Sequence, residues 1–154
     1  MEQDVYDLKK GIDFTGITCV FYCTDGKGNI LLQKRSANCR DEQGKWDPGG
    51  GSMEFYEDSF ESVAIREINE EYCVEVKKIE FCGVRNILRE NNGIKTHWIA
   101  IVFAILIKDP ENAAIGEPEK ADAVEWFPID KLPDTLHSQF ATTFELAESA
   151  MRTL

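Results

Sequence analysis

With 154 residues the chain can bury one well-packed core but not two comfortable ones, so a single domain over residues 1–154 is expected. Its 28 acidic residues against 17 basic ones leave a formal net charge of -11, and no basic, aromatic-interleaved patch interrupts them. That balance argues against long nucleic acid as a substrate. Five cysteines, Cys19, Cys23, Cys39, Cys73 and Cys82, are odd in number and lie mostly in strand-like or helix-end contexts. They point to free thiols in a reducing compartment rather than to a disulfide framework, and only Cys39 has a setting that suggests exposure.

In chain order, Met-Glu-Gln-Asp-Val-Tyr-Asp has neither a basic start nor an apolar core, so no secretory signal is expected and the cytoplasm is the expected location. Gly16 to Cys23 is an apolar, β-branched and aromatic run. The turn cluster Asp25-Gly26-Lys27-Gly28-Asn29 joins it to Ile30 to Arg35, predicting a hairpin. A glycine turn, Gly49-Gly50-Gly51, then leads toward a helix predicted from about Glu57 to Tyr72.

Advancing that helix by about 100° per residue puts Phe60, Val63, Ala64 and Ile68 on one stripe. Glu67, Glu70 and Glu71 overlap this stripe instead of opposing it, which a merely solvated acidic face would not do. Carboxylates at this spacing repel by about 3 kcal/mol at an effective dielectric near 20. Such a cluster suits a divalent cation held against a phosphate chain. Arg66, four residues before Glu70, offers a fork that can orient a carboxylate.

Beyond the helix, Trp98 to Ile107 is a continuous apolar stretch that fits a buried strand and is too short to span a bilayer. Val124-Glu125-Trp126-Phe127 reads as another strand, and Phe140, Phe144, Leu146, Ala147 and Met151 place a closing helix over Ser138 to Arg152. His97 and His137 are too few and too scattered to form a zinc site with these cysteines. Strands flanking one long helix, then more strands and a last helix, imply an α/β fold with a mixed sheet between helical layers.

Gly51, five residues, Glu57, and then Arg66-Glu67-Ile68-Asn69-Glu70-Glu71 resemble the Nudix box, the loop-helix-loop signature of hydrolases acting on nucleoside diphosphates linked to another group. This chain departs from the family pattern in three places. Eight residues rather than seven separate Glu57 from Arg66, so either one residue is inserted or Asp58 takes the family's glutamate position. Tyr56 and Cys73 stand where family members have glycine. None of these changes removes a charged ligand.

The resemblance implies an α/β/α sandwich and a magnesium or manganese site made by Glu67, Glu70, Glu71 and the carbonyl of Gly50. Glu57 would support the ligands and Arg66 would hold the helix carboxylates. Glu67 and Glu119 are the candidates for the base that deprotonates water. Among the neighbours of the glycine turn, Trp46, Phe55 and Tyr56 are placed to stack on a base, and Arg35 and Arg89 to meet phosphates. Selectivity is expected in Lys9 to Thr15, Asn86 to Thr96 and Pro110 to Glu119.

The reading that follows is a metal-dependent pyrophosphohydrolase of a small nucleotide: a nucleoside triphosphate, an oxidised nucleotide or a sugar nucleotide. No membrane partner is expected, and a homodimer is left open. The alternative is a non-catalytic Nudix-fold module that binds a nucleotide, which retention of the acid cluster beside Arg66 disfavours. An isomerase of the same fold would need a placed cysteine and histidines that this chain does not offer.

Overall fold

The two faces of the central strands are apolar for different reasons, and this sets the layers. In the computed structural model, which describes residues 7–154, strand β1 (Gly16–Thr24) sends Cys19, Phe21 and Cys23 to one face and Tyr22 to the other. The leaderless N-terminus expected from the sequence lies largely outside the described residues. Strand β2 (Asn29–Arg35) alternates in the same way, with Leu31 on the first face and Ile30 and Leu32 on the second. Burial on both faces explains why these strands read as continuous apolar runs.

Strands β3 (Trp46–Asp47) and β4 (Gly50–Ser52) are short, and helix α1 (Phe60–Tyr72) follows them. A long hairpin of β5 (Glu75–Asn91) and β6 (Ile94–Lys108), strand β7 (Ala121–Pro128) and helix α2 (Phe140–Thr153) complete the order. The fold is a mixed seven-stranded sheet with the path β3-β2-β1-β6-β5, β4 pairing with β1 and β7 with β2. Helix α1 packs Val63, Ala64, Ile68 and Tyr72 onto the first face, against Phe21, Phe103 and Ile105. Helix α2 packs Phe140, Ala147 and Met151 onto the second, against Tyr22, Val102 and Ala104. No helix among the described residues is long and apolar enough to cross a membrane.

The predicted β1-β2 hairpin forms, and its turn is closed by the Asp25 carboxylate, whose Oδ1 accepts the backbone N–H of Lys27 at 2.8 Å and of Asn29 at 3.2 Å. The pairing is brief, covering only Cys23 with Leu31 and Thr24 with Ile30. Strand β1 then turns to β4 and, in parallel, to β6, while β2 turns to β3 and β7. The divergence opens a cleft between them that becomes the cavity described below.

The segment Asn86 to Thr96, expected as a selectivity loop, is instead the end of the β5-β6 hairpin. Asn92 and Gly93 carry φ of 52° and 79°, the pair of positive values that a two-residue hairpin turn demands. An Asn-Gly step between alternating residues was the signal for it.

Candidate active site

Five backbone and side-chain hydrogen bonds fix the glycine turn. Asp47, buried, accepts the Gly49 N–H at 3.1 Å and the Gln33 Nε2 at 3.1 Å on one oxygen, and the Arg35 guanidinium at 3.0 Å on the other. The Pro48 carbonyl accepts the Tyr72 hydroxyl at 2.7 Å, and the Gly49 carbonyl accepts the Phe21 N–H at 3.3 Å. Gly49 needs its φ of 100°, and a Cβ there would stand 2.7 Å from Glu71 Oε2. A Cβ on Gly51 would clash with the Glu67 carboxylate. The turn is therefore a cradle shaped around the acids of α1.

Helix α1 begins at Phe60, later than the Glu57 expected. Ser59 is its N-cap and forms a reciprocal capping box with Ser62. The extra residue of the box is absorbed ahead of this cap. Tyr56 takes φ 71°, the conformation a glycine would adopt freely, and the chain doubles back so that Glu57, not Asp58, meets Arg66. At the far end Cys73 takes φ 60°, ψ 30° and donates its N–H to the Asn69 carbonyl at 3.0 Å, so it caps the helix as glycine would. Its side chain is exposed there, whereas Cys39, expected to be the exposed thiol, is half-buried.

Arg66 gathers three carboxylates. Its Nη2 donates to Glu57 at 2.8 Å and its Nη1 to Glu67 at 2.7 Å, with Glu70 at 3.4 Å. The first of these holds the Glu57 carboxyl below the usual carboxylate range. Arg66→Lys keeps the charge but loses the fork. Turnover is expected to fall by about 10–100-fold with the fold intact, read by steady-state kinetics beside circular dichroism.

Three acids converge in front of the turn, with carboxylate oxygens of Glu67, Glu71 and Glu117 all within 4.8 Å of one another. Glu70 is not in this triad; its half-exposed carboxylate turns to Arg66. Glu117 was missed in favour of Glu119, which is exposed and approaches only through its backbone carbonyl, an acceptor for the Ser36 hydroxyl at 2.7 Å. Pro118 between two acids was the available signal, but which acid faces inward is set by tertiary contacts. The Gly116 N–H donates to the Glu71 carbonyl at 2.9 Å and the Ala114 N–H to the Tyr72 carbonyl at 3.0 Å, so this loop caps the end of α1.

Two buried oxygens of the triad, Glu71 Oε2 and Glu117 Oε1, have no hydrogen-bond partner among the described residues. Burial, then the charges of Asp47, Glu67 and Glu117, push the Glu71 carboxyl well up, against the Gly50 N–H that favours its ionised form. Burial also raises Glu67, opposed by Arg66. An all-oxygen, anionic donor set with two unpartnered buried oxygens fits a hard divalent cation.

A carboxyl held above its unfolded value binds its proton more tightly in the folded state. Its contribution to stability is thus full below about pH 4.3 and is lost as pH rises through the raised folded value. In chelator, the melting temperature of the wild type should fall increasingly below that of Glu71→Gln as pH rises from 4.5 to 8. A gap that stays constant over this range would contradict the assignment.

Glu71 of the triad, with Gly49 and Gly50, lines a cavity of about 520 Å³ in the cleft between β1 and β2. Arg35 and Arg89, expected to meet phosphates, line it, and both are engaged by the chain's own acids. Arg35 bonds Asp41 and Asp47 at 3.0 Å each, and Arg89 reaches Asp41 at 3.2 Å. Beside them Glu42 accepts the Ser138 N–H at 2.9 Å. Burial would raise this carboxyl, but Ser138, His137 and Lys45 outweigh it and hold it at about 2. The three expected aromatic contacts are displaced: Trp46 packs edge-on against Phe127 with centroids 4.9 Å apart, and Phe55 and Tyr56 are both exposed. None lines the cavity, because β-alternation turns Trp46 to the α2 face and the longer box loop carries Phe55 and Tyr56 outward.

A family model for the NUDIX domain matches residues 14–146. Among solved structures, the MutT NUDIX hydrolase from Burkholderia pseudomallei is 27% identical, with a TM-score of 0.75 over 86% of this chain and 98% of that one. The MutT protein from Methanosarcina mazei Go1 is 26% identical, with a TM-score of 0.71 over 88% and 94%. The NUDIX domain of Shewanella oneidensis NrtR, solved with ADP ribose, is 18% identical, with a TM-score of 0.69 over 97% and 94%, and is a likeness of fold. With the box, the acid-bearing helix and these relatives in agreement, the chain belongs to the Nudix family and is a Nudix-type pyrophosphohydrolase.

Proposed function

We propose that this chain cleaves a phosphoanhydride bond in a nucleoside diphosphate linked to another group, using Mg²⁺ or Mn²⁺ held by Glu67, Glu71, Glu117 and the Gly50 carbonyl, with Glu70 at the rim. The observation that carries the reading is the triad itself, with two buried, unpartnered carboxylate oxygens, and with Glu71 lining a cavity of nucleotide size. When bound, the cation would neutralise charge on the diphosphate and make water more acidic.

The remaining work falls to the chain. Arg66 fixes Glu67 through Oε1, leaving Oε2 free of described partners and directed to take a proton from the attacking water. The pinned glycine turn leaves the backbone near the phosphates free of side chains, and rigid placement of this kind is the main protein contribution to such a reaction. The buried free thiols of Cys19 and Cys23 support a reducing, cytoplasmic setting.

The test is phosphate and pyrophosphate release from nucleoside triphosphates, oxidised nucleotides, ADP-ribose, sugar nucleotides and dinucleoside polyphosphates, with Mg²⁺, Mn²⁺ or EDTA. Release from one class only with a divalent cation is expected. Release that persists in EDTA would refute the metal assignment.

A further inference from the structure

We propose that Tyr72 is a positioning residue that sets which size of cation the triad accepts, by tying together the three segments that carry its oxygen ligands. The inference rests on the hydrolase reading and its metal ligands, and adds what discriminates between ions.

Those segments are α1 with Glu67 and Glu71, the glycine turn with the Gly50 carbonyl, and the loop ahead of β7 with Glu117. Tyr72 is bonded to all of them. It ends α1, one position after Glu71. Its hydroxyl donates to the Pro48 carbonyl at 2.7 Å, just ahead of the turn, and its own carbonyl accepts the Ala114 N–H at 3.0 Å, just ahead of Glu117.

The side chain has no room to swing. Tyr72 is fully buried, and its ring meets Phe21 edge-on with centroids 6.2 Å apart. Phe21 backs the turn in its own right, because its N–H donates to the Gly49 carbonyl at 3.3 Å and a Cβ on Gly49 would stand 2.5 Å from its Cε2. Gly50 pairs with Val20 of β1, and a Cβ there would lie 2.8 Å from the Cys19 carbonyl oxygen. The turn is therefore held by β1 through Gly50 and by α1 through Pro48.

Magnesium takes oxygen ligands at about 2.0–2.1 Å in strict octahedral geometry, whereas calcium takes more of them at about 2.3–2.6 Å and tolerates a looser arrangement. Discrimination then depends on how far the ligands can spread. A turn tied to the helix stops the Gly50 carbonyl from drawing away from Glu71, which favours the smaller ion. Without the hydroxyl, the buried Pro48 carbonyl loses its partner and the turn is released from α1.

The experiment titrates Mn²⁺ into the wild type, Tyr72→Phe and Tyr22→Phe, follows the free ion by electron paramagnetic resonance, and displaces it with Mg²⁺ or Ca²⁺ in the absence of substrate. Tyr72→Phe removes one oxygen and keeps the ring packed against Phe21, so the fold is retained. Tyr22→Phe is the control. It also removes a buried hydroxyl, one that donates to the Phe140 carbonyl at 3.0 Å and lies 2.6 Å from the Thr143 hydroxyl, on the opposite face of the sheet.

The ratio of Ca²⁺ to Mg²⁺ affinity should rise by about fivefold or more in Tyr72→Phe, the scale on which one hydrogen bond shifts an equilibrium, and keep its wild-type value in Tyr22→Phe. Both variants should melt below the wild type, so the ratio and not the melting temperature separates positioning from plain stability. The proposal is overturned if the ratio in Tyr72→Phe equals that of the wild type, or if Tyr22→Phe changes it as much. Either result leaves the hydrolase reading standing where the wild type still cleaves a nucleotide only with a divalent cation. A wild type that binds none of the three ions overturns the proposal and the metal assignment together.

Discussion

Glu71→Gln should lose cation-supported turnover by about a thousandfold or more and, at the same time, make the cation-free protein more stable. Each tenfold loss of rate corresponds to about 1.4 kcal/mol, and a divalent cation supplies several kcal/mol of charge stabilisation in reactions of this kind. Glutamine preserves the shape of the side chain but removes the charge that the turn, Glu67 and Glu117 converge on. In the absence of a cation that charge is buried beside Asp47, Glu67 and Glu117, so its removal relieves repulsion and desolvation together.

The two readouts move in opposite directions, which an ordinary core defect cannot produce. Melting with and without Mg²⁺ adds a third. At a hundredfold excess over its dissociation constant a ligand stabilises the native state by about 2.7 kcal/mol, and the variant should lose most of that gain. Glu70→Gln is the internal comparison: its carboxylate is 48% exposed, so its removal should leave the melting temperature in EDTA nearly unchanged. Wild-type turnover in Glu71→Gln would rule out the ligand assignment.

Gly116→Ala is expected to be the most damaging single methyl group in the molecule. Gly116 lies against the last turn of α1, and a Cβ there would clash with the Glu70 carbonyl oxygen and stand 2.8 Å from its carbonyl carbon. Both obstacles are backbone, so no rotamer change can make room. The loop must withdraw, giving up the hydrogen bond from Gly116 to Glu71 and carrying Glu117 away from the triad.

A destabilisation of about 3 kcal/mol is expected, the upper part of the usual range for overpacking. Mn²⁺ affinity should fall by about tenfold or more as one of three charged ligands departs. Urea midpoints and a Mn²⁺ titration followed by electron paramagnetic resonance measure the two effects. A variant with the wild-type midpoint and affinity would mean that the loop can shift freely and that Glu117 does not depend on it.

The parts of this molecule that were legible in the sequence are those governed by local periodicity. Of the expected stripe, Val63, Ala64 and Ile68 enter the core whereas Phe60, in the first turn, is exposed, and the overlap of Glu67 and Glu71 with that stripe anticipated that Glu71 is buried and Glu67 partly so. The same helical arithmetic placed Glu70 beside them, but a residue at the edge of a stripe can turn outward, and Arg66 draws Glu70 that way.

Contacts between distant segments were not legible. Glu117 reaches the triad because Gly116 and Ala114 cap a helix more than forty positions earlier in the chain, which no window of sequence records. As letters, Trp46 beside the glycine turn was the tryptophan expected to stack on a ligand, and Trp98 was read only as the start of a buried strand. Only the pairing of β1 with β6 brings Gly11 and Gly16 against Trp98.

That parallel pairing also dictates when the protein can come into being. Gly16 meets Trp98 across about eighty residues, and nothing shorter supplies the neighbour that β1 needs on that edge. At ordinary translation rates its first strand waits roughly 4–16 s on the ribosome for its partner to be made. Contacts of such long sequence separation are slow to form, so the exposed Ile17 to Tyr22 stretch is a target for chaperones during that interval. A nascent chain that stops before Glu117 carries the whole box but lacks one acid of the triad, so the cluster is complete only after more than forty residues have followed α1.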